Sequence, residues 1–356
     1  MRVPVRYQLP CLLFLLPFGR QLVAQNSQVA ETPKDPAAVF AVAAPSYNFS
    51  DPTLKPWHLK ATYQLYDDAG KQPTEQGTFE YWWISPTVHR STWTRGSTTY
   101  TDWHASDGKH AWSKSGPGLN FFEVQLESRL LSPLPEPKDY DPATTYFKKE
   151  IVKFGETKVP CIMIVPKMPS HGQLPTIPLG LFPTYCFDPK IPVLAAETSF
   201  GGLAVQYGQV VRVQNRYLAK QVIEEEGPRR ILSAAVVEIG GLDPTDPALV
   251  PPADAKRDTT GPVTIGAKVM QGQRIGGAMP IYPQDAKIAH AEGTVILHAL
   301  IGRDGRIHNL KVLSAPFPSL VESAMWAVSH WEYKPYLLNG DPVEVETEIE
   351  VIYRLG

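Results

Sequence analysis

The sequence contains little cysteine, little net charge and no long uninterrupted apolar run. Only 3 of its 356 residues are cysteine, and the formal net charge is -2. The near balance of charges argues against a basic nucleic-acid-binding face, so no nucleic-acid partner is expected. A membrane-spanning helix needs about 20 apolar residues, whereas the apolar run from Leu9 to Phe18 contains Pro10 and Pro17.

Sequence signatures of enzymes are also missing. The chain has no Gly-x-Ser-x-Gly motif, phosphate-binding loop, dinucleotide fingerprint or His-Glu-x-x-His motif. Its nine histidines are scattered, and the nearest approach to a cluster, His104 with His110, lacks the partner spacing of a metal site. We therefore expect a protein that is not an enzyme and that has no cofactor and no metal.

The N-terminal residues have the pattern of an export signal. Arg2 and Arg6 precede the apolar run, and a small-residue exit follows at Ala24. Residues 1–24 are therefore predicted to be a cleaved signal peptide, with an uncleaved anchor in the inner membrane as the alternative. In an oxidising compartment, the pair Cys161 and Cys186 favours a disulfide over two buried free thiols.

The next part of the chain predicts a β-rich domain. Residues 25–56 are rich in Pro, Ala, Ser and Asp and predict a flexible N-terminus. Alternating apolar and polar residues across 57–242 predict an antiparallel meander, and apolar residues spaced over 119–130 predict one covering helix. Repeated Pro and Asp then predict a semi-extended linker over 243–270.

Six of the eight tryptophans lie between residues 57 and 112. They are explained either by ordinary aromatic packing or by a hydrophobic ligand cavity. A twisted antiparallel sheet with an aromatic inner face and one long helix resembles the half-barrel of LolA-like lipoprotein carriers. This resemblance implies a concave surface suited to lipid or lipoprotein acyl chains.

The C-terminal residues, 271–356, give sharper signals. A short helical pattern, a strand, an Asp-Gly turn, a return strand, a longer helix, an Asn-Gly turn and a final alternating strand follow one another. In this order the segment resembles the TonB C-terminal domain. The positions that carry the resemblance are Tyr282, Pro283, Gly293, Asp304, Gly305, Trp331, Tyr333, Pro335, Asn339 and Gly340.

The chain is thus predicted to be an α+β protein with two domains. The first is a twisted antiparallel β-sheet, a LolA-like half-barrel with a covering helix, and the second is a small TonB-like ββαβ domain. The TonB resemblance implies a periplasmic protein whose last strand is a sheet edge that captures the peptide box of outer-membrane receptors by strand addition. The matching edge residues are Val343, Val345, Thr347, Ile349, Val351 and Tyr353.

Further partners and roles follow from these two resemblances. TonB-dependent receptors are the expected partners, and the family also implies contact with inner-membrane motor proteins. One alternative is a carrier of lipid in the N-terminal domain, and another is an envelope scaffold in which the last strand pairs in a homodimer. The glutamates that alternate along the last strand, Glu344 to Glu350, favour peptides that are not acidic.

Overall fold

A computed structural model describes residues 32–154, 156–167, 177, 179–180, 182–199, 203–258 and 261–355. The predicted signal peptide, 1–24, lies outside the described residues. Among the helices described, none is long and apolar enough to cross a membrane.

The N-terminal domain is built from one large sheet and two helices. The helices are α1 (Pro36–Ala43) and α2 (Phe121–Leu131). The strands are β1 (Trp57–Tyr66), β2 (Pro73–Ser85), β3 (Val88–Arg95), β4 (Thr98–His104), β5 (His110–Ser115), β6 (Thr145–Phe154), β7 (Thr157–Pro166), β8 (Thr184–Phe187), β9 (Leu194–Ser199), β10 (Leu203–Val213), β11 (Arg216–Glu226), β12 (Arg229–Gly241) and β13 (Lys256–Asp258).

These strands form one antiparallel sheet in the order β13-β5-β4-β3-β2-β1-β12-β11-β10-β9-β8-β7-β6. Because β1 pairs with both β2 and β12, two meanders lie side by side in a single sheet. The two end strands, β13 and β6, are not paired with each other, so the sheet stays open. The predicted fold class of this domain is confirmed.

Strand β1 illustrates why the sequence forms this sheet. Its burial alternates strictly, with Trp57, Leu59, Ala61 and Tyr63 almost fully buried and His58, Lys60 and Thr62 half-buried. A strand presents successive side chains to opposite faces, so this alternation buries one apolar face against a core.

Helix α2 packs on the face of the sheet that carries Tyr63 and Trp93, and it begins at a capping box. The Asn120 side chain accepts from the Glu123 amide, and the Glu123 carboxylate accepts from the Asn120 amide, at 2.9 Å each. Glu123 is fully buried and also accepts from Tyr63 Oη and Arg95 Nε, at 2.7 Å each. The helix start is therefore tied to β1 and β3 by charge-assisted hydrogen bonds.

The aromatic residues on this face of the sheet pack against one another. Trp57 stacks with Tyr81 and with Trp83 at ring-centroid distances of 5.3 and 6.0 Å, and Phe79 contacts Trp93 at 4.9 Å. All five side chains are buried. Ordinary aromatic packing therefore accounts for these rings.

The prediction of a flexible N-terminus over 25–56 is wrong for the described residues 32–56. Asp35 caps α1, and the helix buries Val39, Phe40 and Ala43. Phe40 makes edge-to-face contacts with Tyr185 and Phe187 at 5.3 and 5.9 Å. The composition suggested disorder because this segment has few apolar residues and they lie in one short stretch. These residues nevertheless complete the core beside β8.

The predicted linker, 243–270, is also more ordered than its composition suggested. Strand β13 adds to the end of the large sheet beside β5. Trp103 donates its indole N–H to the carbonyl of Ala248 at 3.0 Å, and Ala255 packs in the same small cluster. Proline and aspartate here make turns that follow the sheet surface instead of spanning free solvent.

The C-terminal domain is a small two-layer unit. Its helices are α3 (Ala267–Gln273), α4 (Gln284–Ile288) and α5 (Pro318–Ser329). Its strands are β14 (Val263–Thr264), β15 (Arg274–Gly276), β16 (Gly293–Ile301), β17 (Ile307–Ser314), β18 (Glu332–Tyr333), β19 (Leu337–Leu338), β20 (Asp341–Pro342) and β21 (Val345–Tyr353). The main sheet has the order β14-β21-β16-β17, and α5 buries Leu320, Ala324 and Val328 against it.

Cys161 on β7 and Cys186 on β8 form a disulfide. The two residues are directly opposite each other in the antiparallel pairing of these strands. The bond therefore joins neighbouring strands near the β6 end of the sheet.

Replacing Phe40 by alanine tests whether the N-terminal segment belongs to the folded core. Because the ring is fully buried among aromatic side chains, Phe40→Ala should lower the free energy of unfolding by about 3–5 kcal/mol. Val42→Ala on the same helix is the control, since Val42 is 39% exposed. Urea denaturation measures both, and equal stability of the two variants would contradict the packing of α1.

Candidate peptide-binding edge and domain interface

The Asp304-Gly305 turn between β16 and β17 is fixed by a close backbone approach. Gly305 has a φ of 79°, and a Cβ atom there would lie 2.0 Å from the carbonyl oxygen of Tyr333. In return, the Tyr333 amide donates to the Gly305 carbonyl at 2.8 Å. Glycine is therefore required for the residues after α5 to reach the hairpin.

The other positions of the family motif also serve structure. Trp331 donates its indole N–H to the Ala278 carbonyl at 2.7 Å, and the Tyr282 hydroxyl donates to the Ala291 carbonyl at 2.6 Å. Asn339 and Gly340 take positive φ values, 55° and 95°, in the turn between β19 and β20. Pro283 precedes α4, Gly293 begins β16 and Pro335 lies near Gly305. These residues hold the frame around β21.

The six predicted edge residues have their side chains in the core. Val343, Val345, Thr347, Ile349, Val351 and Tyr353 are all at most 5% exposed. Their burial agrees with the alternation along the strand, but it means that these side chains are not available to a peptide. A peptide added to this strand would contact the side chains of the alternate residues, which lie on the other face of the sheet.

The hydrogen-bonding direction along β21 also alternates. The backbone carbonyls of Glu344 and Glu346 accept from the amides of Val263 and Ile265, at 2.9 Å each, on the side away from β16. In an antiparallel ladder, both backbone groups of one residue point to the same side. The backbone N–H and C=O groups of Glu348, Glu350 and Ile352 therefore also point away from β16. These three residues lie beyond the two-residue pairing with β14.

The last strand is thus not the free edge that the sequence predicted. Strand β14 covers its beginning in parallel register, with Val263 opposite Val345 and Thr264 opposite Glu346. Sequence analysis missed this pairing because a two-residue strand within a Pro- and Gly-containing segment leaves no periodic signal. Helix α3, which follows β14, also contacts β21. Among the described residues, no strand pairs with the outer side of the stretch from Glu348 to Ile352.

The opposite edge of the same sheet is covered by the N-terminal domain. His308 is the extra residue where the β16–β17 register shifts, and its carbonyl accepts from the side-chain amide of Gln125 on α2 at 2.6 Å. Asp304 also contacts Gly118, just before α2: a Cβ on that glycine would lie 2.9 Å from the aspartate oxygen. The bulge and the helix together leave β17 unsuitable for strand addition.

The open face of the sheet beside β21 is acidic. The side chains of Glu348 and Glu350 are exposed, and Glu346 is half-buried. Glu344 differs from these three because its carboxylate lies 3.2 Å from Arg303 Nη1. Across the ladder, His298 stands opposite Glu348.

Two pairs of ionisable residues support the interface between the domains. His308 Nε2 lies 3.1 Å from Asp304 Oδ1 within the C-terminal domain. Burial alone would lower the pKa of His308, but the Asp304 carboxylate outweighs this effect and raises it. Asp102 of β4 and His110 of β5 form the second pair, at 2.9 Å, and Arg303 reaches His110 from the C-terminal domain.

A polar cavity of about 390 Å³ lies elsewhere, between the end of α2, the residues after it, and β8 and β9. Arg129, Tyr185, Glu197 and Asn48 line it. Arg129 is already paired with Glu197 and lies 3.0 Å from Glu224. The cavity is polar and separate from the aromatic face, so it does not match the predicted site for acyl chains.

The fold and the edge geometry define a small two-layer α+β domain, with one sheet edge covered by a neighbouring domain and the other partly open. Residues 278–355 match the family model described as the Gram-negative bacterial TonB protein C-terminal. The resemblance of this segment to the TonB C-terminal domain is therefore confirmed.

Solved structures similar to this chain resemble its larger domain. A crystal structure of a DUF1329 family protein from Desulfovibrio piger is 11% identical, covers 59% of this chain and 95% of that protein, and has a TM-score of 0.35. A LolA superfamily protein from Nitrosomonas europaea is 7% identical, covers 60% of this chain and 97% of that protein, and has a TM-score of 0.33. No curated protein sequence matches the chain. At these TM-scores, the two similarities carry no argument about function.

Proposed function

We propose that this protein binds the peptide box of TonB-dependent outer-membrane receptors in the periplasm, by β-strand addition to β21. The TonB-like C-terminal domain supports a role in TonB-dependent transport. The observation that carries the finer proposal is the unequal use of the two sheet edges. Helix α2 covers β17, while the outward backbone groups of Glu348, Glu350 and Ile352 continue beyond β14.

The physical basis is the ordinary chemistry of a sheet edge. Outward N–H and C=O groups can pair with an extended peptide, and main-chain hydrogen bonds then supply affinity. The exposed stretch is short, so a peptide would pair with only a few residues unless it displaced β14. The proposal includes no catalytic step, cofactor or metal.

No specific observation favours the other two roles. The lipid-carrier alternative depended on the aromatic face, whose rings are packed in the core. The homodimer alternative uses the same edge as the peptide, so it becomes an outcome of the experiment below.

A proline at position 350 tests strand addition directly. Glu350→Pro removes an N–H that points to the outer edge, and proline is tolerated at such positions. Glu350→Ala is the matched control because it removes the same charge and keeps the N–H. We expect the proline variant to bind short synthetic receptor-box peptides roughly tenfold more weakly than the alanine variant, as measured by calorimetry on the full chain.

Equal peptide affinity in the two variants, both folded by circular dichroism, would contradict the proposal. If neither variant nor the parent chain binds peptide, and the proline variant alone turns a dimer into a monomer, the edge pairs with a second copy. Sedimentation velocity on the same samples separates these outcomes.

A second test concerns the competition between a peptide and β14. The double change Val263→Pro and Ile265→Pro removes the two N–H donors that hold β14 on β21. Two backbone hydrogen bonds are lost at about 1 kcal/mol each. A peptide should therefore find a longer edge, and its Kd should fall by up to roughly thirtyfold. Alanine at both positions is the control, and unchanged affinity in the proline variant would show that β14 does not limit binding.

A third test addresses peptide charge. Replacing Glu346, Glu348 and Glu350 with lysine should invert a preference for basic over acidic peptides, by several-fold for each charged contact at low salt. Glu344 is retained because it pairs with Arg303. The preference should weaken in both proteins as salt is raised, and an unchanged preference in the lysine variant would exclude these side chains from peptide selection.

A further inference from the structure

The polar cavity of the N-terminal domain takes no part in the proposed function. It has a volume of about 390 Å³ and lies where the end of α2 and residues 132–139 face β8 and β9. This volume is within the range of sites for small organic ligands. All of its described lining residues belong to the N-terminal domain, so a ligand bound there would be separate from a peptide on β21.

The charges that line the cavity are unequal. Its described lining includes three carboxylates, Glu136, Asp139 and Glu197, and two cations, Arg129 and Lys138. Each cation is already paired, Arg129 with Glu197 and Lys138 with Glu136 at 2.9 Å. Asp139 accepts from the Glu136 amide at 2.7 Å, and no ion pair of Asp139 is found among the described residues. The lining therefore has an excess of negative charge.

Arg129 cannot correct this excess because it faces a second carboxylate. Its side chain is 8% exposed, and its Nε lies 3.0 Å from Oε1 of Glu224, a fully buried residue of β11. Burial raises the pKa of Glu224 to about 7 even beside this guanidinium. Glu224 is thus partly ionised near neutral pH, and its charge adds to that of the lining. An anion in the cavity would have to compete with two carboxylates for Arg129.

The end of α2 has the same electrostatic effect. Ser128 lies in the last turn of the helix and Ser132 follows it directly, and both line the cavity. The C-terminal end of a helix carries a partial negative charge. This end therefore also favours a cation over an anion.

Part of the lining is apolar. Ala44, Pro133, Leu134 and Pro135 contribute it, together with the ring of Tyr185. Methylene groups of an amphipathic chain bury favourably against such a surface while the charged end stays beside polar groups. An aromatic ring also attracts an ammonium group. This combination suits an aliphatic amine.

A metal ion fits the cavity less well. Protein metal sites direct several His, Cys, Asp or Glu side chains at one point. In the part of the chain that the structure describes, no group of three or more such side chains is arranged to hold a metal ion. The cation that matches the lining is therefore an organic one.

We propose that this cavity binds a small aliphatic amine, with its ammonium groups held by the lining carboxylates and its methylene groups against the apolar part of the lining. The residues that would hold the amine come from distant parts of the chain, namely residues 44–48, the end of α2, residues 132–139 and β9. A bound amine would connect these segments and stabilise the folded domain by mass action. The inference does not depend on peptide binding at β21.

Calorimetry on the full chain tests the site, with spermidine as the probe and about 150 mM NaCl to weaken attraction to surface charges. We expect one site per chain. Glu136→Gln with Asp139→Asn removes two charges and keeps the acceptors for the Asn48 side chain and the Glu136 amide. This variant should bind at least about tenfold more weakly. Asp68→Asn with Glu238→Gln removes two exposed charges elsewhere and should bind as the parent chain does.

A second variant blocks the space and leaves the charges in place. Ser128 is exposed at its position in the lining, so Ser128→Phe should abolish binding in a chain that circular dichroism shows to be folded. Citrate and calcium chloride, titrated in the same way, should bind more weakly than spermidine. The proposal is overturned if spermidine does not bind, if the control pair weakens binding equally, if Ser128→Phe binds normally, or if citrate or calcium binds more tightly.

Discussion

A β-sheet ends in two rows of backbone N–H and C=O groups, and the need to pair or cover those rows shapes much of this protein. The large sheet places the short strand β13 at one end, beside β5, and β6 at the other. The small sheet has its β17 edge against α2 and the beginning of its β21 edge beside β14. Two segments that were predicted to be linker therefore cover sheet edges. In the part of the chain that the structure describes, a short stretch of β21 beyond β14 has no strand beside it.

Helix α2 links these arrangements because it serves both domains. Its first turn is tied to the sheet through Glu123, its middle contacts β17 through Gln125, and its last turn buries Arg129 between Glu197 and Glu224. Burial raises the pKa of the Glu224 carboxyl to about 7 even beside this arginine. Such buried charges give little net stability but disfavour other positions of the helix, because a shifted helix would leave a charge unpaired.

The elements with a strong hydrophobic period could be predicted from the sequence. Strands β1 to β5, helix α2 and the sequence of elements from β16 to β21 all follow from alternation, helical spacing and the Asp304-Gly305 and Asn339-Gly340 turns. The short elements could not be predicted, since α1 owes its order to the tertiary contacts of Phe40 and β14 has only two residues. The six residues predicted for the candidate edge alternate as expected, but their side chains lie in the core, and the alternation gives no sign that β14 pairs with the same strand. The His110–Arg303 contact joins residues 193 positions apart, and nothing local in the sequence marks it.

The pairing of β1 with β12 also constrains the order of folding. Trp57 stands opposite Gly241, so the centre of the large sheet joins the first strand of the meander to the last long one. Contacts so distant in sequence form slowly, because the intervening chain must first be brought into a closed loop. During synthesis, about half of the chain is made after β1 before β12, the strand that pairs with it, is available. The aromatic face of β1 and β2 lacks this neighbour until then. The nascent N-terminal half therefore exposes an apolar sheet face until β12 has been synthesised.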